Sequence, residues 1–60
     1  MTRLDVIMSA VDSWADENAG IDCREEVIEN VNNMLNDPEY DYWTDGMMIE
    51  DAIRFWELCE

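Results

Sequence analysis

Several acids of one short segment fall at the spacing of a calcium-binding loop: Asp37, Glu39, Asp41 and Asp45. Counted from Asp37, they occupy the first, third, fifth and ninth positions of that loop. The sixth position is then Tyr42, where the turn requires glycine, and the twelfth is Met48, where a bidentate glutamate is required. Counting from Asp41 places Gly46 at the sixth position, as the turn requires, but puts Trp43 at the third position and Ala52 at the twelfth, where ligands are required. We therefore expect solvated acids here and no metal site.

Catalytic patterns are missing from the sequence as well. The chain has no histidine and no lysine. Ser9 and Ser13 therefore lack a general base, and Cys23 and Cys59 lack a histidine partner and a metal-ligand cluster. Sixteen acids in 60 residues make close carboxylate pairs unavoidable, so such pairs do not indicate a glycosidase. We expect a protein that is not an enzyme and holds no cofactor.

The net charge is the most unusual property of the chain. Sixteen acids stand against three arginines, which gives a formal charge of −13. Proteins that bind DNA, RNA or anionic lipid directly need clustered lysine or arginine, so these ligands are excluded. A basic partner fits the charge, and one class of basic partner is proteins that themselves bind nucleic acid.

Apolar residues at three- and four-residue steps predict a first helix over residues 2–16. Its apolar face is formed by Leu4, Ile7, Met8, Val11, Trp14 and Ala15, and is widened by Val6 and Ala10. Thr2 is suited to cap the helix, with Asp5 completing a capping box. Gly20 is suited to a left-handed position after the end of the helix.

A second helix is predicted over residues 22–36. Asp22 would open it with Glu25 three residues on, and Pro38 would end it near Asn36. Its apolar face is formed by Cys23, Val27, Ile28, Val31, Met34 and Leu35.

A third helix is predicted over residues 45–59, within the most apolar part of the chain, Met47 to Glu60. Its apolar face is formed by Met48, Ile49, Ala52, Ile53, Phe55, Trp56 and Cys59. Thr44 or Asp45 would cap it. The segment before it, Pro38 to Asp45, is expected to be a loop that packs Trp43 and one tyrosine. These elements predict an all-α fold, a compact three-helix bundle with short loops, as a single acidic domain over residues 1–60.

Cys23 and Cys59 lie at apolar positions of these helices. We expect two buried thiols in a reducing cytosol, and a disulfide between them is the open alternative. The N-terminal residues contain acids and no long apolar run, so neither a signal peptide nor a membrane span is predicted. The expected location is the cytoplasm.

The density of charge suggests a function. A helix of about 14 residues is about 21 Å long, and duplex DNA carries one charge per about 1.7 Å, so a bundle of this charge approaches the density of the duplex. Acids four residues apart, such as Asp12 and Asp16, are separated by about 6 Å, comparable with successive phosphates. In size and charge the chain resembles the small acidic proteins with which bacteriophages and mobile elements occupy the DNA-binding grooves of host defence enzymes, as anti-restriction and anti-CRISPR proteins do.

Three functional hypotheses follow, of which the third, an antitoxin-like or anti-sigma-like acidic regulator of one cognate protein, is not distinguished from the first by the sequence. The first is an inhibitor that blocks a nucleic-acid-binding protein by imitating the phosphate backbone. The second is a helical interaction module, a homodimer or a regulatory subunit, whose acidity serves solubility alone. The candidate partner-binding residues are Asp5, Asp12, Asp16, Glu25, Glu26, Glu29, Tyr40, Tyr42, Trp43, Met47 and Leu58.

Overall fold

Three α-helices account for most of the chain in the computed structural model, which describes residues 1–59. They are α1 (Arg3–Asn18), α2 (Arg24–Leu35) and α3 (Asp45–Glu57), and a short 3-10 helix, Pro38–Tyr40, lies between α2 and α3. The described residues contain no strand. The predicted all-α three-helix bundle is therefore confirmed.

Contacts at the helix ends define how the helices run. The start of α1 meets the start of α3, where Arg3 Nε lies 2.6 Å from Asp45 Oδ1. The later part of α1 meets the start of α2, where Asp12 pairs with Arg24. The later parts of α1 and α3 also meet, because the rings of Trp14 and Trp56 are in edge contact. Helices α1 and α3 are therefore parallel, and α2 runs against both.

The core of the described residues is entirely apolar. No polar or charged residue is buried, and the buried set consists of Ile7, Met8, Val11, Cys23, Val27, Val31, Met34, Met48, Ala52 and Trp56. Each helix contributes residues from its predicted apolar face, and α3 packs against both of the others more extensively than they pack against each other. No helix of the described chain is long and apolar enough to cross a membrane.

Side-chain caps fix the starts of α1 and α3, as predicted. Thr2 Oγ1 accepts a hydrogen bond from the Asp5 amide at 3.1 Å, and Asp5 Oδ2 accepts one from the Thr2 amide at 3.2 Å. Thr44 Oγ1 accepts from the Met47 amide at 3.2 Å. These bonds satisfy amides that have no partner within the helix.

The connection between α1 and α2 differs from the prediction. Helix α1 continues to Asn18, whose Nδ2 donates to Trp14 O, and Ala19 follows in an extended conformation. Gly20 does not adopt a positive φ, so the predicted left-handed turn is wrong. Cys23, not Asp22, occupies the position that precedes α2, and Asp22 accepts only from the Arg24 amide. The capping box predicted for α2 is therefore wrong.

Helix limits and one helix face also need correction. The predicted spans 2–16, 22–36 and 45–59 become 3–18, 24–35 and 45–57. Val6 and Ala10 do not widen the buried face of α1, because both are exposed. The neighbouring helices cover the strip of α1 that carries Ile7, Met8 and Val11, and Leu4, Trp14 and Ala15 pack at the edge of that strip.

Cys23 and Cys59 form a disulfide, so the expectation of two free thiols is wrong. The bond joins the residue before α2 to the segment that follows α3, across a sequence separation of 36 residues. Closing a loop of this length removes entropy from the unfolded chain worth about 4 kcal/mol. A core of this size seldom supplies more than about 3–5 kcal/mol of net stability, so the disulfide is a large part of what keeps the chain folded.

We expect reduction of this bond to lower the free energy of unfolding by about 2–4 kcal/mol, because the unfolded chain regains its freedom. Urea denaturation of the oxidised protein, the protein in excess dithiothreitol and the Cys23→Ala/Cys59→Ala variant measures the effect. The variant should match the reduced protein. Equal stability of all three, or two titratable thiols in the untreated protein, would contradict the account.

Candidate functional site

Five of the six acids predicted to meet a partner lie on one continuous surface. Shallow grooves join them: the first groove holds Asp12, Asp16 and Asp22, the second holds Asp22, Glu25 and Glu26, and the third holds Glu26 and Glu29. Asp22, which the sequence analysis treated only as a helix cap, links the α1 acids to the α2 acids. We call these residues the acidic surface: Asp12, Asp16, Asp22, Glu25, Glu26 and Glu29.

Asp5 lies apart from this surface. It is seven residues before Asp12 on the same side of α1, a rise of about 10 Å. One of its carboxylate oxygens already accepts a hydrogen bond in the capping box at Thr2. Asp5 therefore caps the start of α1, and it can add charge only at the edge of the acidic surface.

Two of the three arginines are already paired with acids of the protein itself. Arg3 contacts Asp45 and also donates to Trp43 O at 2.7 Å. Arg24 holds both carboxylate oxygens of Asp12, with Nε–Oδ1 at 2.9 Å and Nη2–Oδ2 at 3.0 Å. This hydrogen bonding, and then the attraction of the carboxylate charge, raise the pKa of Arg24, so the guanidinium keeps its charge at any accessible pH.

The acidic surface consequently carries six carboxylates and a single guanidinium. Asp16, Asp22, Glu25, Glu26 and Glu29 are all exposed, and the Arg24 bridge spans α1 and α2 and so helps to hold the two halves of the surface together. Exposed ion pairs contribute little stability. The consequence of this arrangement is electrostatic: a strongly negative face that attracts cationic groups from solvent.

The aromatic segment divides into packed and free residues. Tyr40 and Trp43 pack against the core and meet edge to face, with ring centroids 4.7 Å apart. Tyr42 is 78% exposed. The prediction that Trp43 and one tyrosine pack beneath the loop is confirmed, and of the three aromatic residues proposed for an interface only Tyr42 presents most of its side chain to solvent.

Met47 and Leu58 lie on one side of α3, outside its buried face, as their positions in the sequence predict. Met47 is 39% exposed and Leu58 is 77% exposed. Eleven residues separate them, a rise of about 16 Å, and the positions between them on that side are Asp51 and Arg54. They are therefore two separate apolar points and do not form one patch.

A cleft of about 370 Å³ opens at the end of the bundle where α1 and α3 finish. It is lined by Trp14, Asn18, Ile21, Trp56, Glu57 and residues 19 and 20, and we call it the tryptophan cleft. Helical periodicity predicts that both tryptophans lie in the core. Trp56 is buried, but Trp14 is only half-buried, so the cleft is a feature that helical periodicity alone did not reveal.

No group of three or more potential ligands in residues 1–59 is arranged to hold a metal ion. The acids that resemble a calcium loop in the sequence instead build local structure, since Asp37 accepts from the Glu39 amide and Asp45 pairs with Arg3.

Comparison with known proteins adds no assignment: no protein-family model, curated protein or solved structure matches this chain.

Packed and free tyrosines should respond differently to substitution. We expect Tyr40→Ala to lower the free energy of unfolding by about 1–3 kcal/mol, because it removes the edge contact with Trp43 and buried area. Tyr42→Ala should change it by less than about 0.5 kcal/mol. Urea denaturation of the two variants tests this, and an equal loss in both would show that Tyr42 is packed after all.

Proposed function

We propose that this protein is a non-catalytic inhibitor that occupies the nucleic-acid-binding site of a basic protein by imitating the phosphate backbone. The observation that supports this most directly is the acidic surface, where six carboxylates from two helices and their connection lie together with one guanidinium. The resemblance in size and charge to phage anti-defence proteins indicates the kind of target, a host enzyme of the restriction or CRISPR type.

The dimensions of the molecule support the proposal. Its longest extent is 32 Å, and a duplex of that length carries roughly 19 phosphate charges. The protein carries a formal charge of −13, about two thirds of that number. Within the acidic surface, Asp12 and Asp16 on α1, and Glu25 and Glu29 on α2, are each four residues apart, so their spacing along the helix is about 6 Å.

The proposal places the protein in the cytoplasm, where such targets act. Cytosolic thiols tend to reduce disulfides, so the bond between Cys23 and Cys59 would have to resist them. An attacking thiolate needs access to one of the two sulfur atoms. Burial restricts that access at Cys23, which is only 8% exposed, and less so at Cys59, which is partly buried.

The affinity for the target should depend on salt concentration if electrostatic attraction drives binding. We expect the immobilised protein to capture basic nucleic-acid-binding proteins from a bacterial lysate at about 0.1 M salt and to release most of them by about 0.5 M, as screening shortens the range of attraction. Mass spectrometry identifies the eluted proteins. Capture of acidic or membrane proteins alone, or retention of the captured proteins at high salt, would contradict the proposal.

The position of the charge should matter as well as its amount. We expect Glu25→Gln/Glu26→Gln/Glu29→Gln to weaken binding to the captured target about tenfold, since three exposed charge contacts are lost. The matched control is Glu39→Gln/Asp41→Asn/Glu50→Gln, which removes the same charge from exposed sites outside the acidic surface. Equal affinities of the two variants in calorimetric titration would leave the acidic surface without a role.

Exposure of Leu58 favours a second candidate, an oligomeric interaction module in which acidity serves solubility alone. Leu58 is 77% exposed, and its apolar surface is removed from water only when a partner covers it. Met47 and Tyr42 would join such an interface. The charged residues Asp51 and Arg54 between Met47 and Leu58 make that interface small, which is why we rank it second.

Leu58→Asp separates the two candidates. We expect the variant to keep the sedimentation coefficient of the unmodified protein, because the acidic surface lies elsewhere and needs no second copy. Sedimentation velocity over a range of protein concentrations measures this. An unmodified protein that sediments as a dimer, and a variant that sediments as a monomer, would support the oligomeric module instead.

A further inference from the structure

We propose that the tryptophan cleft is a binding site for an arginine side chain of the partner protein. This inference rests on the proposed function for its partner, a basic protein, and adds a specific contact to it. Three features of the cleft carry the assignment: its aromatic wall, its lack of cationic lining residues, and the helix ends that meet beside it.

The aromatic wall is formed by Trp14 and Trp56. Their ring centroids are 6.2 Å apart, with planes at 66°. The Trp56 indole is held in place because its Nε1 donates to Ile21 O at 2.8 Å. Trp14 is half-buried and lines the cleft, so part of its side chain reaches solvent. Tryptophan attracts cations more strongly than other aromatic side chains, and arginine can also stack on it.

The polar groups of the cleft favour a cation over an anion. Two hydrogen-bond donors that line the cleft are already engaged within the protein: Trp56 Nε1 donates to Ile21 O, and Asn18 Nδ2 donates to Trp14 O. Glu57 supplies an exposed carboxylate, which only accepts hydrogen bonds when ionised. None of the three arginines lines the cleft.

Helix direction strengthens this preference. Because α1 and α3 are parallel, both present their C-terminal ends here, and each end carries a partial negative charge of about half a unit. The last turn of α1 contains no basic residue. The last turn of α3 contains Arg54, but this residue lines a different groove, with Trp43, Met47 and Glu50.

The cleft also adjoins the acidic surface. Trp56, Ile21 and residues 19 and 20 line both the cleft and the groove that contains Asp12, Asp16 and Asp22. A basic segment seated on the acidic surface can therefore extend an arginine between Trp14 and Glu57. A guanidinium meets both groups at once, since it stacks on an indole while donating in its own plane to a carboxylate.

Nuclear magnetic resonance with a small probe tests this site without any target protein. The probe is N-acetyl-arginine amide, titrated at constant ionic strength, and the uncharged analogue in which citrulline replaces arginine is its control. We expect the arginine probe to shift the indole resonance of Trp14 and the amides of residues 20 and 21 progressively toward saturation. The Trp43 indole, at the opposite end of the bundle, should stay unchanged. Citrulline should produce little shift.

Two carboxylate variants complete the experiment. Glu57→Gln should weaken probe binding about two- to fivefold, the loss of one exposed charge contact. Glu50→Gln, the same change on the same helix outside the cleft, should leave it unaltered. Thermal unfolding checks that both variants are folded.

Three results would overturn the assignment: equal shifts with the citrulline analogue, equal binding of N-acetyl-lysine amide titrated in the same way, or no effect of Glu57→Gln on binding of the arginine probe. This test is independent of the test of the proposed function. If no basic target were captured in a salt-dependent way, the proposed function would fail but arginine binding in the cleft could still be observed. If the probe did not bind, the arginine site would fail but salt-dependent capture could still be observed.

Discussion

The disulfide between Cys23 and Cys59 is the constraint on which the rest of the structure depends. It fixes the start of α2 against the segment after α3, beside the end of α1, where the acidic surface and the tryptophan cleft lie. A chain of 60 residues has little apolar area to bury. The covalent bond therefore adds folding stability that the small core does not supply, and it does so by restricting the unfolded chain.

This constraint allows the protein to carry so much charge. Repulsion among carboxylates favours expansion of the chain, and the acidic surface concentrates six of them around the junction of α1 and α2. The structure places the acids outside an entirely apolar core and bridges α1 to α2 through Arg24 and Asp12.

Much of the fold could be predicted from sequence because helical periodicity reports directly which residues face a core. Val27, Val31 and Ala52 are buried as their spacing requires, and the threonine caps follow from local geometry. Where the prediction failed, the answer depended on distant contacts. Neither the disulfide nor the position of Cys23 before α2 is encoded in local spacing, and Gly20 adopts no left-handed turn because Ala19 leaves α1 in an extended conformation.

The candidate site was predictable only in part for the same reason. The acids of α1 and α2 could be named individually, but periodicity within each helix does not show which helices are neighbours. Asp22 was missed as the link between them, and Asp5 was grouped with acids that lie farther along α1. The tryptophan cleft arises where the ends of two parallel helices meet, which is a property of the assembled bundle.

Competition with duplex DNA tests the central claim most directly. The measurement is the fluorescence anisotropy of a labelled duplex bound to the captured target, followed as the protein is added at fixed salt. Imitation of the phosphate backbone predicts complete displacement of the duplex, and a protein concentration for half-displacement that rises linearly with the duplex concentration. A ternary complex in which target, duplex and protein are bound together would contradict the account.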